Sequence, residues 1–259
     1  MFKALHTAAS GMYAQQRNVE VVANNLANVN TTAFKRNDVA FADLLYVNVR
    51  EQGAPTAGGS TLAGIQLGSG STIVGTTKDM SPGAVYQTGG TWDFAIAGQG
   101  FFQVENQGGE PLYTRAGSFR VDSDGTLVTP SGRRLQNGPQ GLTGATDVSV
   151  SRDGLVSGYV DGTRTTLGQI QIVTFPNPAG LSAEGDNLYR ASDVSGTAAP
   201  SNPGQNGSGT LEQGYLERSN VDIAAELINL IIAQRAYETN SRAISTADQM
   251  MANANSVVR

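Results

Sequence analysis

Residues able to hold a metal, attack a carbonyl or move a proton are scarce in this chain. It has no cysteine, which excludes disulfides, thiolate metal sites and cysteine nucleophiles together, and its single histidine is His6. A zinc site or a catalytic triad would have to be built on that one imidazole, which follows the apolar position Leu5 and reads as structural. Asp122-Ser123-Asp124-Gly125 has the opening of a calcium loop. An EF-hand, however, needs glycine at its sixth position and a bidentate glutamate at its twelfth, where this chain has Leu127 and Arg133. Asp124-Gly125 therefore reads as a hairpin turn. Neither the Walker phosphate loop nor the Gly-x-Ser-x-Gly elbow occurs. Glu105, Glu110 and Asp122 are the carboxylates that a glycosidase could pair, and Trp92, Tyr113 and Phe119 the aromatics that a β-rich glycan-binding module could use, but no spacing joins them. The balance is a non-enzymatic chain with no cofactor and no metal.

Composition narrows the partners. A formal charge of −5 with 15 % charged residues leaves no basic stripe for phosphates, so nucleic acid is not expected. Gln15, Gln16, Arg17, Asn18 and Glu20 interrupt every candidate apolar run near the start, so no cleaved secretory signal is read there. The most apolar stretch, Leu227 to Ala233, is far shorter than the ~20 residues that span a bilayer, and membrane insertion is not expected.

The elements follow from periodicity. Leu5, Met12, Val19 and Leu26 repeat every seven residues in a segment without proline, and Ile223, Leu230, Tyr237, Ile244, Met251 and Val258 do the same near the other end. Each stripe predicts a long helix, of ~40 Å and ~55 Å at 1.5 Å per residue. Ser219 or Asn220 is the expected N-cap of the second, with Asp222 in its first turn. Between the helices the period falls to two, as in Val39/Phe41, Val47/Val49 and Phe119/Val121, and Asp-Gly pairs at 124–125, 153–154 and 161–162 supply hairpin turns. Glycine, 32 of 259 residues and without a three-residue period, fits a turn-rich β region rather than collagen. The expected fold is α+β: terminal helices (1–30 with 219–259) pairing as a coiled coil, a central antiparallel β domain (75–199), and an extended hairpin and linker region (31–74 with 200–218) containing the Gly/Ser-rich segments Gly53 to Gly75 and Ser195 to Gly209.

Spacing alone leaves three destinations for the stripes: each other, the β domain, or helices of neighbouring copies. The faces beside the stripes carry small and neutral polar residues, among them Ala8, Ala14, Asn18 and Asn24 on the first helix and Asn229, Gln234, Asn240 and Gln249 on the second. Such residues tolerate desolvation where charges resist it, which favours packing on more than one side and thus a homo-oligomer.

Several segments resemble one family. Ala23-Asn24-Asn25-Leu26-Ala27-Asn28-Val29-Asn30-Thr31-Thr32-Ala33-Phe34-Lys35-Arg36 is similar to the N-terminal signature of the flagellar basal-body rod and hook proteins, with Asn24, Asn25, Asn28 and Phe34 at its motif positions. The likeness continues at Ala97 to Phe102, Tyr113 to Phe119, Gln213 to Val221 and Gln234 to Ser241, so it covers nearly the whole chain. Leu44-Leu45-Tyr46, leading into a glycine-rich insertion, resembles the distal rod members best. The resemblance implies a structural subunit that polymerises helically into a hollow drive shaft. It further implies an inner tube of terminal helices, type III export without cleavage, and a basal-body location with proximal rod, hook and ring proteins as partners.

Overall fold

A computed structural model describes residues 2–50, 55–56, 59–60, 64–106, 109–160 and 162–257. The chain divides into two compact units. The first comprises Met1–Ala27, Asn37–Thr77 and Asp222–Arg259, and the second comprises Asn28–Arg36 and Lys78–Val221. The α+β class holds, with two helices near the chain ends and an antiparallel β region between them.

In the first unit, α1 (Phe2–Ala27) and α2 (Ile223–Val257) pack on each other. Their direction follows from the neighbours: Gly11 meets Asn240, Gln16 and Val19 share a groove with Gln234 and Tyr237, and Val22 shares one with Glu226. As α1 advances, α2 recedes, so the pair is antiparallel. The expected cap of α2 is corrected. Asp222 holds that place, its carboxylate accepting the N–H groups of Ala224 (2.8 Å) and Ala225 (3.3 Å). Ser219 and Asn220 are engaged elsewhere: the Ser219 hydroxyl accepts the Val221 N–H, and Asn220 serves the second unit.

Among the described residues, three β ribbons complete the first unit. Asn37–Asp43 pairs with Ser71–Lys78, Val47–Arg50 pairs antiparallel with Ile65–Leu67, and Pro55–Thr56 with Gly59–Ser60. Every residue of Val47–Arg50 and Ile65–Leu67 is exposed. At Gly70, φ is +119° and an added Cβ would clash with the Ser10 hydroxyl of α1, so only glycine lets the strand approach the helix there.

The second unit is a β domain built outward from a four-stranded antiparallel sheet in the order Ser182–Gly185, Leu188–Arg190, Pro111–Thr114, Phe102–Glu105. A three-stranded sheet (Thr146–Val150, Leu155–Val160, Thr163–Gln169) and several ribbons surround a core that includes Phe94, Phe102, Val104, Leu112, Phe119, Val156, Ile170, Ile172 and Leu211. A second cluster stacks Phe101, Tyr113, Phe175 and Tyr189 edge to face. The Asp124-Gly125 and Asp153-Gly154 turns form as the residues dictate, with φ of +72° and +81° at the glycines. Gly162 also has positive φ, while Asp161 lies outside the described residues.

The linker reading of 200–218 is corrected. Ala199–Ser201 pairs with Ile172–Thr174, Thr210–Gln213 with Phe94–Ala97, and Tyr215–Glu217 with Val85–Gln87, all inside the β domain. Glycines and serines there serve turns between paired strands, and Ser195 is fully buried, hydrogen-bonded to Ser192 and Gly196.

Candidate assembly surface

The helix pair is the place to look for a surface that does something, because its core is thin. Among the described residues its buried apolar side chains are Ala14, Val22, Ala233 and Ala247, with Asn25 and Glu226 buried among the polar ones. Of the seven-residue stripes, Leu5, Met12, Val19 and Leu26 on α1, and Leu230, Ile244 and Met251 on α2, are each only half-buried. Ile223 and Tyr237 are exposed, and Val258 lies outside the described residues. The buried apolar positions beside the stripes are small instead: Ala14, Ala233 and Ala247. At Gly11 an added Cβ would lie 2.9 Å from the side-chain amide nitrogen of Asn240, so the two meet across the pair.

The side of α2 beginning at its first turn is a different matter. Ile223, Leu227, Ile228, Ile231 and Ile232 are 42–60 % exposed, five large aliphatic side chains within ten residues. A lone aliphatic residue at a surface is ordinary, but a contiguous set of this kind marks a surface meant to be covered. Sequence periodicity picks out one stripe and passes over this second face, although the unbroken run Leu227 to Ala233 is visible as composition.

The family-signature residues are organised by asparagine side chains. Asn24 is exposed, but Asn25 is buried and acts as a backbone surrogate for the start of a strand: its amide donates to the Asn37 carbonyl and accepts the Asn37 N–H, both at 2.9 Å. This ties the end of α1 to the strand Asn37–Asp43. In the β domain, Asn28 accepts the Thr31 hydroxyl, Asn187 donates to the Thr32 carbonyl, and Asn220 accepts the Arg36 N–H at 2.8 Å while donating to the Asp79 carbonyl at 2.9 Å. Phe34 is buried, with the Lys78 ammonium 5.8 Å from its ring centroid.

Beside Phe34 lies a cluster that sequence reading did not anticipate. Lys35, Arg115 and Glu217 are buried together, none more than 3 % exposed. Glu217 accepts from Lys35 Nζ at 2.6 Å and from Arg115 Nε at 2.8 Å. Burial is the main reason that the Lys35 amine falls below its usual pKa, with the Glu217 carboxylate opposing the shift. Burial also pushes the nearby Tyr189 phenol up to about 12, helped by the Glu217 charge. At the edge of the cluster the Ser81 N–H and hydroxyl hold Asp79 below the usual carboxylate range. The signal for this cluster was present, since each of the three residues sits in a different family-like segment. Charge alone could not show that the segments meet.

The aromatics of a glycan platform are interior: Tyr113 and Phe119 are buried and Trp92 packs against the core. Among the described residues no helix is long and apolar enough to cross a membrane.

Comparison with known families and proteins gives consistent matches. The family model described as flagella basal body rod protein matches residues 5–35, the flagellar hook protein FlgE/F/G D1 domain matches 95–158, and the flagellar basal body rod FlgEFG protein C-terminal region matches 212–257. The flagellar basal-body rod protein FlgG of Borreliella burgdorferi is 44 % identical over 266 residues, covering 100 % of both chains. That of Buchnera aphidicola subsp. Acyrthosiphon pisum is 43 % identical over 97 % of this chain and 98 % of its own. That of Bacillus subtilis is 42 % identical over 97 % of each.

Proposed function

The chain belongs to the flagellar basal-body rod protein family, and on that premise we propose that it is the distal rod subunit, polymerising helically through its terminal helices into the hollow shaft that carries torque from motor to hook. It is a structural, non-enzymatic component of the basal body and assembles with other basal-body components. The observation that carries the assembly reading is the aliphatic face of Ile223, Leu227, Ile228, Ile231 and Ile232, which the chain itself leaves open. Burying such side chains contributes about 1.5–3 kcal/mol each when fully covered, and repeated, non-closing contacts propagate as a helix rather than a ring. In this reading a neighbouring copy covers that face. The half-buried stripes Leu5, Met12, Val19, Leu26, Leu230, Ile244 and Met251, together with exposed Ile223 and Tyr237, pair as a coiled coil whose remaining apolar surface also meets neighbours. Its partners are a proximal rod protein, a hook protein and the surrounding rings, and it is exported without cleavage.

Electron microscopy and sedimentation of the purified chain test this directly. The unaltered chain forms rods. The double variant Ile228→Asp with Ile232→Asp stays monomeric with an unchanged Trp92 fluorescence spectrum, and rods of ordinary length from that variant would overturn the assignment of the face.

A further inference from the structure

The chain passes between its two units four times, at Ala27/Asn28, Arg36/Asn37, Thr77/Lys78 and Val221/Asp222. On the β-domain side these passages belong to just three segments, 28–36, 78–84 and 216–221, and all three are tied at one carboxylate. Glu217 Oε1 accepts from Lys35 Nζ at 2.6 Å and from the Gly83 N–H at 2.8 Å, and Oε2 accepts from Arg115 Nε at 2.8 Å. The Glu217 carbonyl takes the Ala33 N–H at 2.9 Å, and Lys35 also donates to the Ser81 carbonyl at 2.6 Å. Around this knot the backbones are laced: Asp79 N–H to the Arg36 carbonyl, Asn220 N–H to the Phe34 carbonyl, and Arg218 N–H to the Ala84 carbonyl. The other guanidinium N–H groups of Arg115 anchor the knot to the β domain through the carbonyls of Ile96, Gly98 and Gly100.

Stability is a poor reason for such a cluster. A well-packed apolar set of the same volume generally stabilises as much or more, because charges resist leaving water. What a fully bonded buried ion group supplies is a fixed geometry: charge-assisted hydrogen bonds from two directions leave the carboxylate one position, and displacing any partner strands a charge. We propose that Lys35, Glu217 and Arg115 form a charge-keyed clasp that locks together the three segments through which every covalent connection between the units runs, so that force carried along the backbone from the helices enters the β domain at one rigid point. The clasp is independent of what the helices pack against and holds for any role in which one unit pulls on the other.

Residue-resolved amide hydrogen exchange on the full chain tests it. Glu217→Gln keeps the shape and removes the charge. It is expected to speed exchange at Ala33, Gly83, Arg218 and Asn220 by about tenfold or more, while Leu135 and Ile170, bonded deeper in the β domain, change by less than about twofold. Should that variant fail to fold, Lys35→Met decides alone. It leaves the Glu217–Arg115 pair in balance and is expected to loosen Ala33 and Gly83 selectively, again with Leu135 and Ile170 unchanged. Equal acceleration at all these amides would reduce the cluster to general support of the fold, and unaltered exchange at the four joint amides would remove the clasp altogether; either result overturns the proposal.

Discussion

The helical unit and the β domain handle apolar surface in opposite ways. The β domain places Phe94, Phe102, Leu112, Leu127, Ile170, Ile172 and Leu211 at 2 % exposure or less, whereas the largest apolar residue buried in the helical unit, among the described residues, is Val22. Exposed large apolar side chains show the reverse. Among the described residues all of them except Val85, Leu155, Tyr159 and Val194 belong to the helical unit. One unit has finished its core within the chain, and the other has postponed it. Helices 26 and 35 residues long, held at their seam by alanine and half-covered stripes, gain little from each other alone, since most helix stability in proteins comes from a packed apolar face. Under the proposed assembly, such a subunit would keep its β domain folded beforehand and commit its helices when neighbours arrive.

The contrast can be broken from the β side first, where the largest effect is expected. Phe102→Ala removes a fully buried ring that packs edge to face on Phe119 and should cost about 3–5 kcal/mol in urea unfolding followed by Trp92, the single tryptophan. A cost near zero would mean that the β core is as unfinished as the helical one.

A smaller effect is expected from alkali, and it too should appear only in the β domain. The Tyr189 phenol has a folded pKa of about 12 against an ordinary 10, so between those values the folded state holds a proton that the unfolded state has released. Stability therefore falls as pH rises from 10 to 12, by about 2–3 kcal/mol for a shift of this size. Tyr113, also raised by burial, adds in the same direction. Tyr189→Phe should flatten the Trp92-detected decline, leaving the share due to Tyr113. An unchanged slope would place the loss elsewhere.

The same contrast explains what was legible in the residues. Helices, hairpin turns and the antiparallel period are local, so Leu5 to Leu26, Leu230 to Met251, Asp124-Gly125 and Asp153-Gly154 announce themselves. Residues 195–218 did not, because glycine and serine mark turns between paired strands as readily as linkers, and only long-range pairing with Phe94–Ala97 and Val85–Gln87 separates the two. The stripes were visible but not their depth: burial went to Ala14, Ala233 and Ala247 beside them. Lys35, Arg115 and Glu217 looked like solvated charges, and their burial arises from sequence separations of 182 and 102 residues that no local pattern encodes. Asn220 was legible as a capping residue and is used as a side-chain staple instead, which left the cap to Asp222.

That cap offers the gentlest way to sharpen the comparison. Asp222 gives its carboxylate to the N–H groups of Ala224 and Ala225 at the mouth of α2, and its negative charge also suits the positive end of the helix dipole. Asp222→Ala should cost the helix about 1 kcal/mol, a small quantity that only a marginal helix would display. In the dilute monomer, where the α2 face has no cover, circular dichroism should therefore show a measurable loss of helix, while Trp92 reports an unaltered β domain. In assembled rods, where neighbours hold the same helix by its aliphatic face, the loss should disappear. If the monomer instead keeps its full helical signal, the helical unit has a sufficient core of its own, and the division between a finished and a postponed core does not describe this molecule.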